Sequence, residues 1–377
     1  MALLRSEIAG TPLDAQVVSM LDGERIEWLC RIASKYDFSE ALFVALKRCG
    51  AISPHDEIYT RLEGEEELCY FRVKRLENAY RDISRTLSLA GIRHIPLKGA
   101  VLRELYPSPL MRQSADIDVL VEEKNLNAAI SALTGTLGYK AGKREFHDVS
   151  LYTADGMHLE LHYNIKENDG ALDAVLDRAW EYAIENDGYE YRFSREFSLF
   201  HILTHLVYHF VNGGCGIKPF SDMWLYEKKI GYDREAFLTL CRESGLEEFY
   251  YNVENLTRVW FDGEKHTPLT YKMEAHVIHN AICGAAEKSV VLTQSKRGGR
   301  VRYILSRIFM PYRSLSIRYP VLKKCPILLP IFEVVRWFSL LFGDKKRVMR
   351  ELESTKQITD AQMKELTSFL SDVGLEV

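Results

Sequence analysis

The sequence predicts an α+β fold, a small sheet core with helical regions before and after it. Three observations carry this. Val73, Leu76, Tyr80, Ile83 and Leu87 recur at spacings of three and four, which draws one apolar stripe along a helix. Residues 115–121 alternate instead, with Ala115, Ile117, Val119 and Val121 on one face and Asp116, Asp118 and Leu120 on the other. Two further alternating runs, 147–153 and 157–165, meet at Asp155 and Gly156, a pair suited to a hairpin turn.

Taken in order, residues 1–90 form an N-terminal helical region with Gly91 as its stop. The core is 91–193. Its first apolar run, 92–97, is short enough to be a buried strand, and Lys98-Gly99 breaks it before a short helix over 100–105. Tyr106, Pro107, Ser108 and Pro109 make a turn, followed by the alternating strand. An amphipathic helix over 125–137 ends at Gly138, and the hairpin completes the core. Residues 194–377 read as a C-terminal helical region, with helices over 197–210, 222–230, 234–244 and 271–286.

Composition narrows the functional classes. A formal net charge of −4 excludes a protein that binds polyanions over its whole surface. The charge is uneven, however. Residues 288–350 hold 15 Lys and Arg against Glu333 and Asp344, a local net of +13 that leaves −17 for the rest. This basic segment is interleaved with aromatics, which suits RNA, an anionic membrane surface or an ordinary packed helical subdomain. The seven cysteines are scattered and include no Cys-x-x-Cys, so neither a disulfide framework nor a zinc knuckle is expected. The first residues lack a signal-peptide apolar run, and 325–342 is interrupted by Pro330, Glu333 and Arg336. A cytoplasmic protein, with a peripheral membrane position left open, is the expectation.

The chemistry gathers in 95–165. Asp116 and Asp118, at i and i+2 of one strand, project from the same face and can share a hard cation. Glu160 lies on another alternating strand between His158 and His162. If that strand lies beside the first, three carboxylates converge, and such an oxygen set suits two Mg²⁺ ions facing a triphosphate. Gathered without a cation they repel, so neutralising one by Asp118→Asn is expected to raise the stability of the metal-free chain. Upstream, Gly99 lets the backbone approach a phosphate at the start of a helix, Lys98 adds a point charge, and Arg112 offers a planar fork.

The run Pro96, Leu97, Lys98, Gly99 and Ala100, then Leu105 to Pro107, Arg112 and Asp116 to Val121, resembles the uncharacterised nucleotidyltransferase family of the DNA polymerase beta-like superfamily. Leu159 to Tyr163 is similar to its third-carboxylate strand, and His201, His205, His209, Ser221 and Asp222 to the helical segment that follows. The resemblance spans roughly residues 1–350 and implies a nucleotidyltransferase-type mixed-sheet core. It also implies an Mg²⁺-dependent transferase of a nucleoside monophosphate from a nucleoside triphosphate, with Asp116, Asp118 and Glu160 as metal ligands and Lys98, Gly99 and Arg112 near the triphosphate. The acceptor is left open. One departure stands out: the wider superfamily has Gly-Gly or Gly-Ser where this chain has Lys98-Gly99.

Several alternatives remain. His158, Glu160 and His162 share a face and offer a transition-metal set, or simply the polar side of a strand. His201, His205 and His209 share a helical face, expected to pack or to line a substrate. Asp222 either caps the next helix or orients one of those histidines. A non-catalytic nucleotide-binding regulatory module would keep the fold, and a peripheral component of envelope or polysaccharide biosynthesis would use the basic segment.

Overall fold

The computed structural model describes residues 1–167, 170–211, 215–283, 312, 315, 319, 321–333, 335 and 360–375. Five helices lead: α1 (Ala2–Ile8), α2 (Ala15–Ser19), α3 (Gly23–Lys35), α4 (Ser39–Arg48) and α5 (Glu57–Leu89). Asp14 and Asp22 cap α2 and α3 by accepting from Gln16 N and Arg25 N. In the 33-residue α5, Val73, Leu76, Ile83 and Leu87 of the apolar stripe are buried, and Gly91 turns the chain at φ +67°.

A seven-stranded mixed sheet follows in the order β3-β4-β5-β2-β1-β7-β6. Its strands are β1 (His94–Pro96), β2 (Asp116–Val121), β3 (Lys140–Arg144), β4 (Asp148–Tyr152), β5 (His158–His162), β6 (Ala183–Asp187) and β7 (Glu190–Phe193). Helices α6 (Gly99–Leu102), α7 (Leu126–Leu137) and α8 (Gly170–Leu176) connect them. β2 pairs in parallel with β5 and antiparallel with β1. The β4–β5 hairpin turns through Gly156 at φ +81°. The fold class is the predicted one, with more strands than the sequence showed. β3 carries Lys140, Lys143 and Arg144 and is exposed throughout, so it has no apolar alternation to read. The β6–β7 hairpin closes the opposite edge and is mostly exposed as well.

The sheet has unlike faces. Ile117, Val119, Val121, Leu159 and Leu161 pack under α5 and α7. Asp116, Asp118 and Glu160 alternate onto the other face, which looks toward the C-terminal helices. Those are α9 (Arg195–Val211), α10 (Lys218–Lys229), α11 (Arg234–Glu243), α12 (Glu247–Thr257) and α13 (Pro268–Cys283), with a single turn α14 (Val321–Lys324) and α15 (Asp360–Asp372). α10 starts four residues before the expected 222, with Pro219 in its first turn, so Asp222 is an interior residue and not a cap. One apolar cluster runs from Leu3 and Phe43 through Phe200, Phe220 and Trp260 to Leu370, Val373 and Leu375. Gly374, at φ +84°, passes so close to α12 that a Cβ there would meet Phe249 N at 2.7 Å.

Most of the basic segment 288–350 lies outside the described residues. Among the described residues no helix is long and apolar enough to cross a membrane.

Candidate active site

Parallel pairing of β2 and β5 sets Asp116 opposite His158 and Asp118 opposite Glu160. Directly paired residues on one face bring their side chains together. Two overlapping clusters result: Asp116, His158 and Glu160, and Asp118, Glu160 and His162, each with ligand atoms within 4.8 Å of one another. The three carboxylates singled out from sequence therefore converge, with Glu160 common to both groups.

Their charges are handled differently. Asp118 is buried, and its Oδ1 accepts from Lys98 Nζ at 2.9 Å and lies 3.0 Å from His162 Nε2. Burial disfavours the Asp118 carboxylate, but Lys98 and His162 outweigh it and hold its pKa well below the usual range. Asp116 has the opposite fate: burial, then the charges of Asp118 and Glu160, raise it. The repulsion expected within the cluster thus falls on Asp116, while the charge of Asp118 is balanced by Lys98 and His162.

The clusters open into a cleft of about 560 Å³ between the sheet and α9–α10, also lined by Lys98, Gly99, Lys218 and the histidines of α9. A model of the family described as uncharacterised nucleotidyltransferase matches residues 22–262. The chain belongs to that family. No curated protein and no solved structure matches it.

The Lys98-Gly99 turn has a local cause. Lys98 sits at φ 45°, a region that residues with a Cβ rarely adopt, and its ammonium reaches Asp118 across the turn. Gly99 is buried, and a Cβ there would approach Ser114 Oγ to 2.9 Å. The short helix expected over 100–105 is one α turn, Gly99–Leu102, continued by a 3-10 turn over Arg103–Leu105, so it brings little dipole to the cleft.

Arg112 differs from the sequence expectation. It lines the cleft, but its Nε donates to Asp222 Oδ1 at 2.8 Å and its second nitrogen to Oδ2 at 2.9 Å. Tyr106 also donates to Asp222 Oδ1, at 2.8 Å. The planar fork is committed to a buried carboxylate, and Asp222 orients this arginine instead of a histidine.

The histidines divide. His158 and His162 do not form one ligand set, because each joins a different aspartate around Glu160. His201, His205 and His209 line the cleft, and His205 Nε2 lies 3.1 Å from His209 Nε2. Burial lowers His201 to about 3 and His209 to about 4, so both rings are neutral at pH 7. Lys218 and Glu167 also line the cleft and carried no sequence signal. Lys218 Nζ donates to Asp37 Oδ2 at 2.7 Å and to Gln113 O at 3.0 Å. Burial pushes Glu167 up to about 7.

A pH dependence follows from His162. Burial alone would lower it, yet Asp118 and Glu160 raise it to about 9, from an ordinary value of 6.5. A raised cationic pKa contributes stability that is complete below the unfolded value and lost as pH rises through the folded one. The metal-free chain should lose melting temperature between pH 6.5 and 9. His162→Gln should flatten that part of the profile. Identical slopes in melts of the two chains would refute the assignment.

Proposed function

We propose that the chain is an Mg²⁺-dependent nucleotidyltransferase that moves a nucleoside monophosphate from a nucleoside triphosphate onto an acceptor and releases pyrophosphate. The observation that carries this is the β2–β5 register, which gathers Asp116, Asp118 and Glu160 at the head of a cleft that also holds Lys98 and Lys218. The donor set fits a hard divalent cation. The carboxylates supply oxygen ligands, and His162 Nε2 is turned to Asp118 instead of being open as a nitrogen ligand. His158, in the neighbouring cluster, keeps a buried Nε2 with no hydrogen-bond partner among the described residues.

When bound, Mg²⁺ would neutralise triphosphate charge and make the acceptor hydroxyl more acidic. Asp116 and Asp118 would hold the ions, and Glu160 would complete the acceptor side and take the hydroxyl proton. With cations held by the carboxylates, Lys98 would add positive charge for the phosphates. The neutral imidazoles of α9 form a wall that lends hydrogen bonds without adding charge.

The test is incubation with each nucleoside triphosphate, labelled at the α-phosphate, with Mg²⁺ and a cell extract. Label should appear in a nucleotidylated acceptor, with pyrophosphate released in equal amount. Nucleotide binding without pyrophosphate release would leave a non-catalytic nucleotide-binding module.

A further inference from the structure

His158 sits between two strands that both constrain it. Parallel pairing sets it across from Asp116 of β2, and antiparallel pairing sets it across from Tyr152 of β4. The Tyr152 ring lies flat on the imidazole, with centroids 4.6 Å apart and planes 5° from parallel, so the imidazole is held in one plane. Asp116, His158 and Glu160 each offer a donor atom, and these lie within 4.8 Å of one another. Donors around one cation, each about 2.0–2.3 Å from it, stand about 3–4.5 Å apart. Small side-chain adjustments would therefore close this trio on a single ion.

The imidazole also lacks what buried polar groups normally have. His158 Nε2 is enclosed by protein and has no hydrogen-bond partner among the described residues. A buried nitrogen left in that state carries an uncompensated desolvation penalty, which a cation taking it as a ligand would remove. Lys98 Nζ goes to Asp118, at 2.9 Å, and the Asp116 side chain makes no hydrogen bond or ion pair among the described residues. His162 is placed otherwise: its Nε2 lies 3.0 Å from Asp118 Oδ1 and 3.5 Å from Glu160 Oε2, turned to the carboxylates. The two clusters therefore differ in kind. The one around Asp118 is balanced by protein cations, and the one around Asp116 holds an open nitrogen beside unbalanced acids.

We propose that Asp116, His158 and Glu160 form a mixed nitrogen–oxygen site that binds a first-row divalent transition cation in preference to Mg²⁺. The part such an ion plays in transfer rests on the nucleotidyltransferase reading, whereas its binding does not. Carboxylates alone would suit Mg²⁺, which takes oxygen ligands and keeps its waters. An imidazole adds a softer donor, which transition cations accept and Mg²⁺ does not favour. The position beside Asp118, where the neighbouring imidazole is turned to the carboxylates, is left to Mg²⁺.

The test uses Mn²⁺ as the probe, because its unpaired electrons report both binding and ligands. The full chain, stripped of metal and free of nucleotide, is titrated with Mn²⁺ and followed by electron paramagnetic resonance. One Mn²⁺ should stay bound against a roughly tenfold excess of Mg²⁺, with hyperfine coupling to an imidazole nitrogen. His158→Phe keeps a ring against Tyr152 and removes the nitrogen. It should abolish the coupling and weaken Mn²⁺ binding at least about tenfold, while Mg²⁺ affinity stays within about twofold. If the phenylalanine variant does not fold, His158→Gln is read in the same way. No coupling in the unmodified chain, coupling that persists in the His158 variant, or displacement of Mn²⁺ by an equal concentration of Mg²⁺ would overturn the mixed site and leave the carboxylates as a Mg²⁺ site. A chain that binds Mn²⁺ as expected but transfers no label would keep this site and lose the nucleotidyltransferase reading.

Discussion

Asp118→Asn should lower the melting temperature of the metal-free chain, whereas Asp116→Asn should leave it unchanged or raise it. The two carboxylates share one strand and one cluster, but their surroundings give opposite signs. Asp118 is buried between Lys98 and His162, so neutralising it strands two cations at an enclosed site. Breaking such a pair costs about 3 kcal/mol, which for a chain of this size is a drop of roughly 4 °C. Asp116 is raised by burial and by its acidic neighbours, so an uncharged side chain there relieves repulsion. This reverses for Asp118 the sign expected from the sequence alone, which showed the acids and not their partners. Both variants should also lose the stabilisation that Mg²⁺ and nucleotide give the unmodified chain, about 2.7 kcal/mol at a hundredfold excess over Kd. Thermal melts with and without ligand read both effects. An Asp118→Asn chain that melts at or above the unmodified one would show that Lys98 and His162 are not held by this carboxylate.

Arg112→Met should be the most damaging single change near the cleft. Its guanidinium is buried and makes three contacts with the Asp222 carboxylate, at 2.8, 3.1 and 2.9 Å. Removing it leaves Asp222 in the apolar interface between the sheet core and α10, with only Tyr106 donating. The loss should be about 3–5 kcal/mol in urea unfolding. Arg112→Met/Asp222→Leu should recover much of it, because replacing both members of a buried pair with apolar groups is often neutral. If Arg112→Met instead unfolds at the unmodified urea concentration and loses only nucleotide affinity, the fork serves phosphates and not the interface.

The sequence showed the parts of the site that follow from strand periodicity. Asp116, Asp118 and Glu160 could be placed on faces because side chains alternate, and only the adjacency of β2 and β5 had to be supplied by the fold. The α5 stripe and the Gly156 hairpin were readable for the same reason. Edge strand β3 was not, since its charged residues guard an open edge and carry no period. Contacts across large separations left no trace at all. Arg112 and Asp222 are 110 residues apart, and Lys218 meets Asp37 across 181. Nothing local marks such partners, so Arg112 read as a free phosphate ligand.

The packing of the last described helix onto the middle of the chain governs how the molecule must assemble. Phe369 packs on Phe210 and His276, with ring centroids 6.0 and 4.9 Å away, and Leu370, Val373 and Leu375 join the cluster that starts at Leu3. During synthesis, residues 1–283 can coil into helices and pair their strands, but this apolar wall stays incomplete until residues 370–375 have left the ribosome. Contacts across such sequence distances form late and slowly. A half-made chain therefore shows a sticky surface for the whole of that interval, which is the condition under which chaperones are recruited. Once closed, the same contacts tie α15 to α9, α12 and α13, so these helices should not melt apart from each other.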